Sequence, residues 1–296
     1  MVKLVVAWTL CLLLIVLVAK RYWGERRKSP KPFVSQVAAK NVISSDDIIL
    51  LEKAIPLCSV AFSSFLASGT PEARSQYVIN PIDTTARMSR FNSMNPLFTI
   101  DPKNITLRAN EVLHLPTGRA IETLWSTIDD RVLDAVFMEE KGEWRLDWAH
   151  FIRFSDYPWP LFLAGSGDGQ GEFRLLVRER LAEERKNSDT LSIVFYAPRF
   201  GVPNDPGFVS PEFLVSRSSK NGRLLDAAFK LEKSRSRVFG VKLPIIDPEG
   251  LPRVRVKIRR SGEGSDRHFE LEDVVACHWY SIDAPGVEVP PEPAEK

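Results

Sequence analysis

Sixteen apolar or near-neutral residues run from Leu4 to Ala19 and stop abruptly at Lys20-Arg21. At ~1.5 Å rise per residue they make a helix of roughly 24 Å, a little short of the ~30 Å hydrocarbon core of a bilayer. Lys3 and Lys20 can reach outward past the shortfall, and Tyr22 and Trp23 suit the headgroup boundary. A cleaved signal peptide is the rival reading. It needs a charged start and a small-x-small cleavage site, whereas here the start is Lys3 alone and the run ends in Ala19-Lys20-Arg21-Tyr22. A buried core helix, the third reading, fits runs of roughly 10–14 residues better. The expectation is a single-pass membrane protein: residues 1–28 form the anchor and basic flank, 29–44 a linker, and Leu4–Ala19 contacts the lipid bilayer.

The flank sets the expected orientation. Lys20, Arg21, Arg26, Arg27, Lys28 and Lys31 follow the run with one acid, Glu25, and cationic flanks stay on the cytoplasmic side. The cysteines do not contradict this, with one bridge between Cys58 and Cys277 left open. Cys11 lies inside the run, and Cys58 and Cys277 are too few for a disulfide framework. The remaining chain differs from the whole. Setting aside residues 1–31, with seven bases and one acid, leaves 33 Lys and Arg against 37 Asp and Glu. A mildly acidic body of this kind is a poor general nucleic-acid binder, so no nucleic acid is expected as a partner.

Start signals come first along that body. Ser45-Asp46-Asp47 offers an N-cap with first-turn acids to an apolar helix reaching toward Leu66, which Pro56 should kink or split. Thr70-Pro71-Glu72 and Asn80-Pro81 repeat the cap-then-proline device, so three short helices follow one another. Strand patterns then take over at residues 97–100, 105–108, 112–115, 120–128 and 132–140. Lys141-Gly142 should turn tightly into a long last strand, 143–154. On such a strand Trp144, Leu146, Trp148 and His150 share one face, with Arg145, Asp147, Ala149 and Phe151 on the other. Helices followed by an antiparallel sheet imply an α+β domain over 45–164. Gly165 to Gly171 is the expected Gly-rich linker. A smaller β-rich α+β domain fills 172–284, with strands near 173–181, 191–196, 212–216, 238–243, 254–258 and 269–277 and one helix about 223–231. The Pro-rich tail, 285–296, should be disordered.

The helix–helix–long-strand order resembles the NTF2-like superfamily, in which helices pack into a curved antiparallel sheet. More narrowly, the chain is similar to a group of bacterial membrane-anchored proteins. The likeness rests on Phe65-Leu66, Thr70-Pro71-Glu72, Tyr77-Val78, Asn80-Pro81, the Trp144-Arg145-Leu146-Asp147-Trp148 strand, Phe151, Tyr157, Trp159 and Phe162, over residues 45–165. It departs at Ile79, where a basic residue is expected, and at Arg90-Phe91, where a Tyr pair is. The resemblance implies a fold and no activity. Anchored NTF2-like domains also serve as assembly subunits of bacterial secretion machines, on the side of the membrane opposite to that favoured by the flanking charge.

Each candidate site has a plain alternative. The glycine cluster 165–171 leads into a strand and lacks Gly-Lys-Ser/Thr, which favours a connector over a phosphate cradle. Asp147 and His150 are the acid–base candidates, since NTF2-like enzymes use such a pair, yet a regular strand points them to opposite faces. His114, His268 and Cys277-His278 lack metal-ligand spacing, so neither a metal nor a cofactor is expected. Arg253 to Arg259 alternates bases with aliphatics, a lipid or nucleic-acid face or else a solvated strand neutralised by Glu270 and Glu272. Trp144, Trp148, Tyr157 and Trp159 would line a ligand pocket or form core. The reading that follows is a non-catalytic binding or assembly module at the membrane surface, holding a protein partner or a small apolar ligand. The alternative is a hydrolase or isomerase using the aromatic pocket.

Overall fold

The computed structural model describes residues 44–180, 189–241, 243–244 and 246–289. The expected anchor, its flank and the linker up to Ile43 lie outside those residues, as do 290–296 of the tail. The first helix, α1 (Ser45–Ala67), is capped by Ser44 and runs unbroken through Pro56, which sits on its exposed side. It is long and apolar enough to cross a membrane, but Ala54, Cys58, Phe62, Phe65 and Leu66 pack into a core against the first sheet. The next two start signals give α2 (Pro71–Arg74), capped by Thr70, and α3 (Pro81–Asn92).

The molecule is α+β with two antiparallel sheets. β1 (Ile105–Leu115), β2 (Gly118–Thr127), β3 (Val132–Glu140) and β4 (Glu143–Leu146) pair in sequence order. The β3–β4 turn places Lys141 at φ 55° and Gly142 at φ 82°, the two left-handed residues that a two-residue hairpin demands. Residues 97–100 are irregular, and 105–108 and 112–115 belong to one strand with a bulge at Leu107/Ala109.

The expected strand 143–154 is wrong after Leu146. Asp147 accepts a hydrogen bond from the His150 backbone N–H at 3.1 Å, and this cap starts the short helix α4 (Trp148–Phe151). A side chain that satisfies an orphan helix N–H thus overrides the alternating pattern. Asp147 therefore meets the His150 backbone, while the His150 ring faces Asp134 and Tyr280.

A short helix α5 (Trp159–Ala164) leads into the second sheet. Its order is β10 (His268–Ala276), β9 (Arg253–Ser261), β5 (Gly169–Glu179), β6 (Thr190–Ala197) and β7 (Phe208–Val209), with β8 (Phe213–Ser216) also on β6. α6 (Lys220–Lys233), capped by Ser219, covers its core with Leu224, Leu225, Ala228 and Phe229. Residues 238–240 form a 3-10 turn with Phe239 at φ 58°, in place of the expected strand.

Two further expectations fail for physical reasons. The glycine segment is no loose connector. Arg260 donates to the carbonyl oxygens of Phe162, Ser166 and Gly167, and a Cβ on Gly165 would stand 2.1 Å from its guanidinium. The start of the tail is also packed: Cys277 N–H donates to Pro285 O, and Val287 and Val289 rest on the second core. The described residues form one compact unit.

Candidate functional site

Between the sheets lies a sealed cluster of charges. Glu122 on β2 and Asp134 on β3 share the face of the first sheet opposite α1, because Glu122 pairs with Val136, two residues from Asp134. His150 reaches them from α4, its Nε2 3.4 Å from Asp134 Oδ1. Arg253 of β9 lies 2.7 Å from Asp134 Oδ2 and 2.6 Å from Asp247 Oδ2. Glu122 and His150 are buried, and Asp134 nearly so.

Electrostatics separate the two acids. Burial first, then the Asp134 charge, push the Glu122 carboxyl up to about 7, against the opposing charges of Arg237 and Arg253. Burial also works to raise Asp134, but Arg253 and His150 overcome it and hold that carboxyl well below the usual carboxylate range. Arg253 itself is raised, its burial outweighed by Asp247, Asp134 and Glu122.

A C-terminal strap, residues 277–282, locks this region. Asp147 accepts from both the N–H and the Oγ of Ser281 at 2.7 Å. Arg174 donates to Trp279 O, Phe154 O and Ser281 Oγ, while Arg255 donates to Tyr280 O and Ile282 O. Burial lowers Arg174 to about 10. The rings of His150, Tyr280 and His278 stack in series at 5.1 and 5.2 Å. Burial pulls the His278 imidazole down to about 4 and pushes the Cys277 thiol up to about 12.

Asp147 is thus fully buried and committed to one cap and two strap hydrogen bonds. The alternating bases divide as well. Arg259 pairs with Glu270 and Glu272, whereas Arg253 and Arg255 are interior groups. His114 meets Asp47, and His268 is exposed.

A separate cleft of about 120 Å³ opens between α3 and the α4–α5 segment. Tyr157 and Trp159 line it with Arg90, Phe91, Met94 and Phe200. Tyr157 is 40% exposed and Met94 48%, while Trp159 is buried against Phe173. Trp148 lies behind the cleft, its ring edge-on to Phe91, and Trp144 packs elsewhere on the first core.

Comparison of the chain with protein families, curated proteins and solved structures gave no match.

Sequence reasoning reached His150, Tyr157 and Trp159 but missed Glu122 and Asp134. The available signal was an acid inside each of two largely apolar strand segments, Ala120–Trp125 and Val132–Phe137. An acid in a buried strand needs a partner. No spacing rule joins it to a histidine on a helix that the pattern did not foresee.

Proposed function

We propose that this chain is a single-pass membrane protein, tethered through Leu4–Ala19, whose NTF2-like first half is a non-catalytic binding or assembly module. The cleft holding Tyr157 and Trp159 is the observation that supports it most. Its ~120 Å³ falls below the roughly 300–1,000 Å³ of pockets that enclose a whole small molecule. Such a cleft fits one apolar side chain of a partner protein. Arg90, whose guanidinium stands 5.7 Å from the Tyr157 ring centroid, supplies a cation at the rim. Asp147, the acid that an enzyme reading would need, is occupied by structural hydrogen bonds. The basic flank favours the cytoplasmic face for the body.

A photo-crosslinking amino acid at Met94 in the intact, membrane-resident protein tests the reading. The expected result is a discrete protein adduct that Tyr157→Ala reduces at least fivefold. No adduct, an adduct indifferent to Tyr157, or recovery of the unprocessed chain in the soluble fraction would overturn it.

A further inference from the structure

We propose that Glu122, Asp134 and His150 form a binding site for one divalent transition-metal ion of zinc's kind. Each offers one ligand atom, and the three atoms lie within 4.8 Å of one another. Bond lengths of about 2.0–2.2 Å to Zn²⁺ put ligand atoms roughly 3.5 Å apart, so small side-chain rotations close the site.

The two carboxylates have outer partners as metal ligands do, whereas His150 Nδ1 has no hydrogen-bond partner among the described residues. Each carboxylate is held from behind: Arg253 takes Asp134 Oδ2, and the Tyr280 hydroxyl stands 3.4 Å from Glu122 Oε1. That leaves Asp134 Oδ1 facing His150 Nε2, and leaves Glu122 Oε2 buried with no hydrogen-bond partner among the described residues. An orphaned carboxylate oxygen in a residue 1% exposed is costly unless something positive meets it. The imidazole is fixed by its stack on Tyr280, and its helix by the Asp147 cap. Outer groups that orient ligands in this way raise metal affinity.

Two carboxylate oxygens and one imidazole nitrogen suit Zn²⁺ or Mn²⁺, whereas Ca²⁺ wants about six to eight oxygens. A cavity of about 60 Å³ lies behind the cluster, lined by Asp247, Arg253, Trp279 and Tyr280. The ion would join β2, β3 and α4 and, through Arg253 and Tyr280, stiffen their junction with the second sheet.

The test uses the full chain in detergent, stripped with a chelator and titrated calorimetrically with Zn²⁺, Mn²⁺ and Ca²⁺. One equivalent of Zn²⁺ should bind, the thermal midpoint should rise, and Glu122→Gln and His150→Gln should each weaken binding at least tenfold. His114→Gln, at the exposed pair with Asp47, should leave binding unchanged and controls for adventitious surface sites. Absence of stoichiometric Zn²⁺ or Mn²⁺ binding by the wild-type chain overturns the proposal whether or not any variant folds. So does Ca²⁺ binding tighter than Zn²⁺, full affinity in a folded Glu122→Gln protein, or loss of binding in His114→Gln.

Discussion

His278 shows what a single buried side chain does to this fold. Its Nε2 lies 2.8 Å from Ala284 O, its Nδ1 has no hydrogen-bond partner among the described residues, and burial lowers its pKa from 6.5 to about 4. Between those values the unfolded chain binds a proton that the folded chain refuses. The stabilising contribution is therefore complete above about pH 6.5 and is lost as pH falls toward 4. The size is about 3 kcal/mol for such a shift. Glu122 tilts the profile the other way over much of the same window, because its folded pKa is raised. The informative quantity is thus the difference between two proteins. Urea unfolding at several pH values should show wild type losing stability on acidification relative to His278→Gln, which has no titrating ring. Parallel pH profiles would show that the imidazole is as easily protonated in the fold as outside it.

At the scale of elements, α1 tolerates a residue that helices normally exclude. Pro56 removes one backbone donor in the helix interior yet lies on the exposed side, where water can satisfy the freed carbonyl. Packing of Phe62, Phe65 and Leu66 on the first sheet holds the helix together across it. Pro56→Ala should then stabilise the protein by about 1–2 kcal/mol, the helical gain less the added freedom of the unfolded chain. Chemical denaturation measures this, and an unchanged or lowered midpoint would mean that the proline ring itself packs usefully. Of the expected kink or split at Pro56, the split failed because propensity is local and the core contacts are not. The same divide separates what was legible from what was not. The strand Val132–Glu140 and the Lys141-Gly142 turn are local patterns and stand as read. The helix at Asp147 and the burial of Arg253 and Arg255 depend on Ser281, Asp134 and Tyr280, far away in sequence. The Glu122–Asp134–His150 cluster needs both the β2–β3 register and the docking of α4, which no single-strand pattern contains.

Across the whole molecule, the two sheets follow one another in sequence with a boundary near Gly165, which invites a description as two domains. The polar contacts argue against independent folding. Asp147 of the first half holds Ser281 of the second, Asp134 pairs with Arg253, and Arg174 satisfies the carbonyl of Phe154. Val132 N–H donates to Gly201 O, and Phe200 packs edge-on against Phe98 and Phe151. Separating the halves would strip Asp147 of both Ser281 hydrogen bonds, Asp134 of Arg253 and Arg174 of the Phe154 carbonyl, leaving interior polar groups only partly satisfied at a cost of about 1–3 kcal/mol or more each. The two halves should therefore unfold as one cooperative unit. Tryptophan fluorescence samples Trp125 and Trp148 in one half and Trp279 in the other, while far-ultraviolet circular dichroism reports both sheets. The two probes should give coincident urea transitions. Asp147→Ala should shift that single transition by about 2–4 kcal/mol, because it removes a buried cap and both strap hydrogen bonds at once. Two separated transitions, or a shift confined to one probe, would show instead that each sheet carries a self-sufficient core and that the strap only decorates their contact.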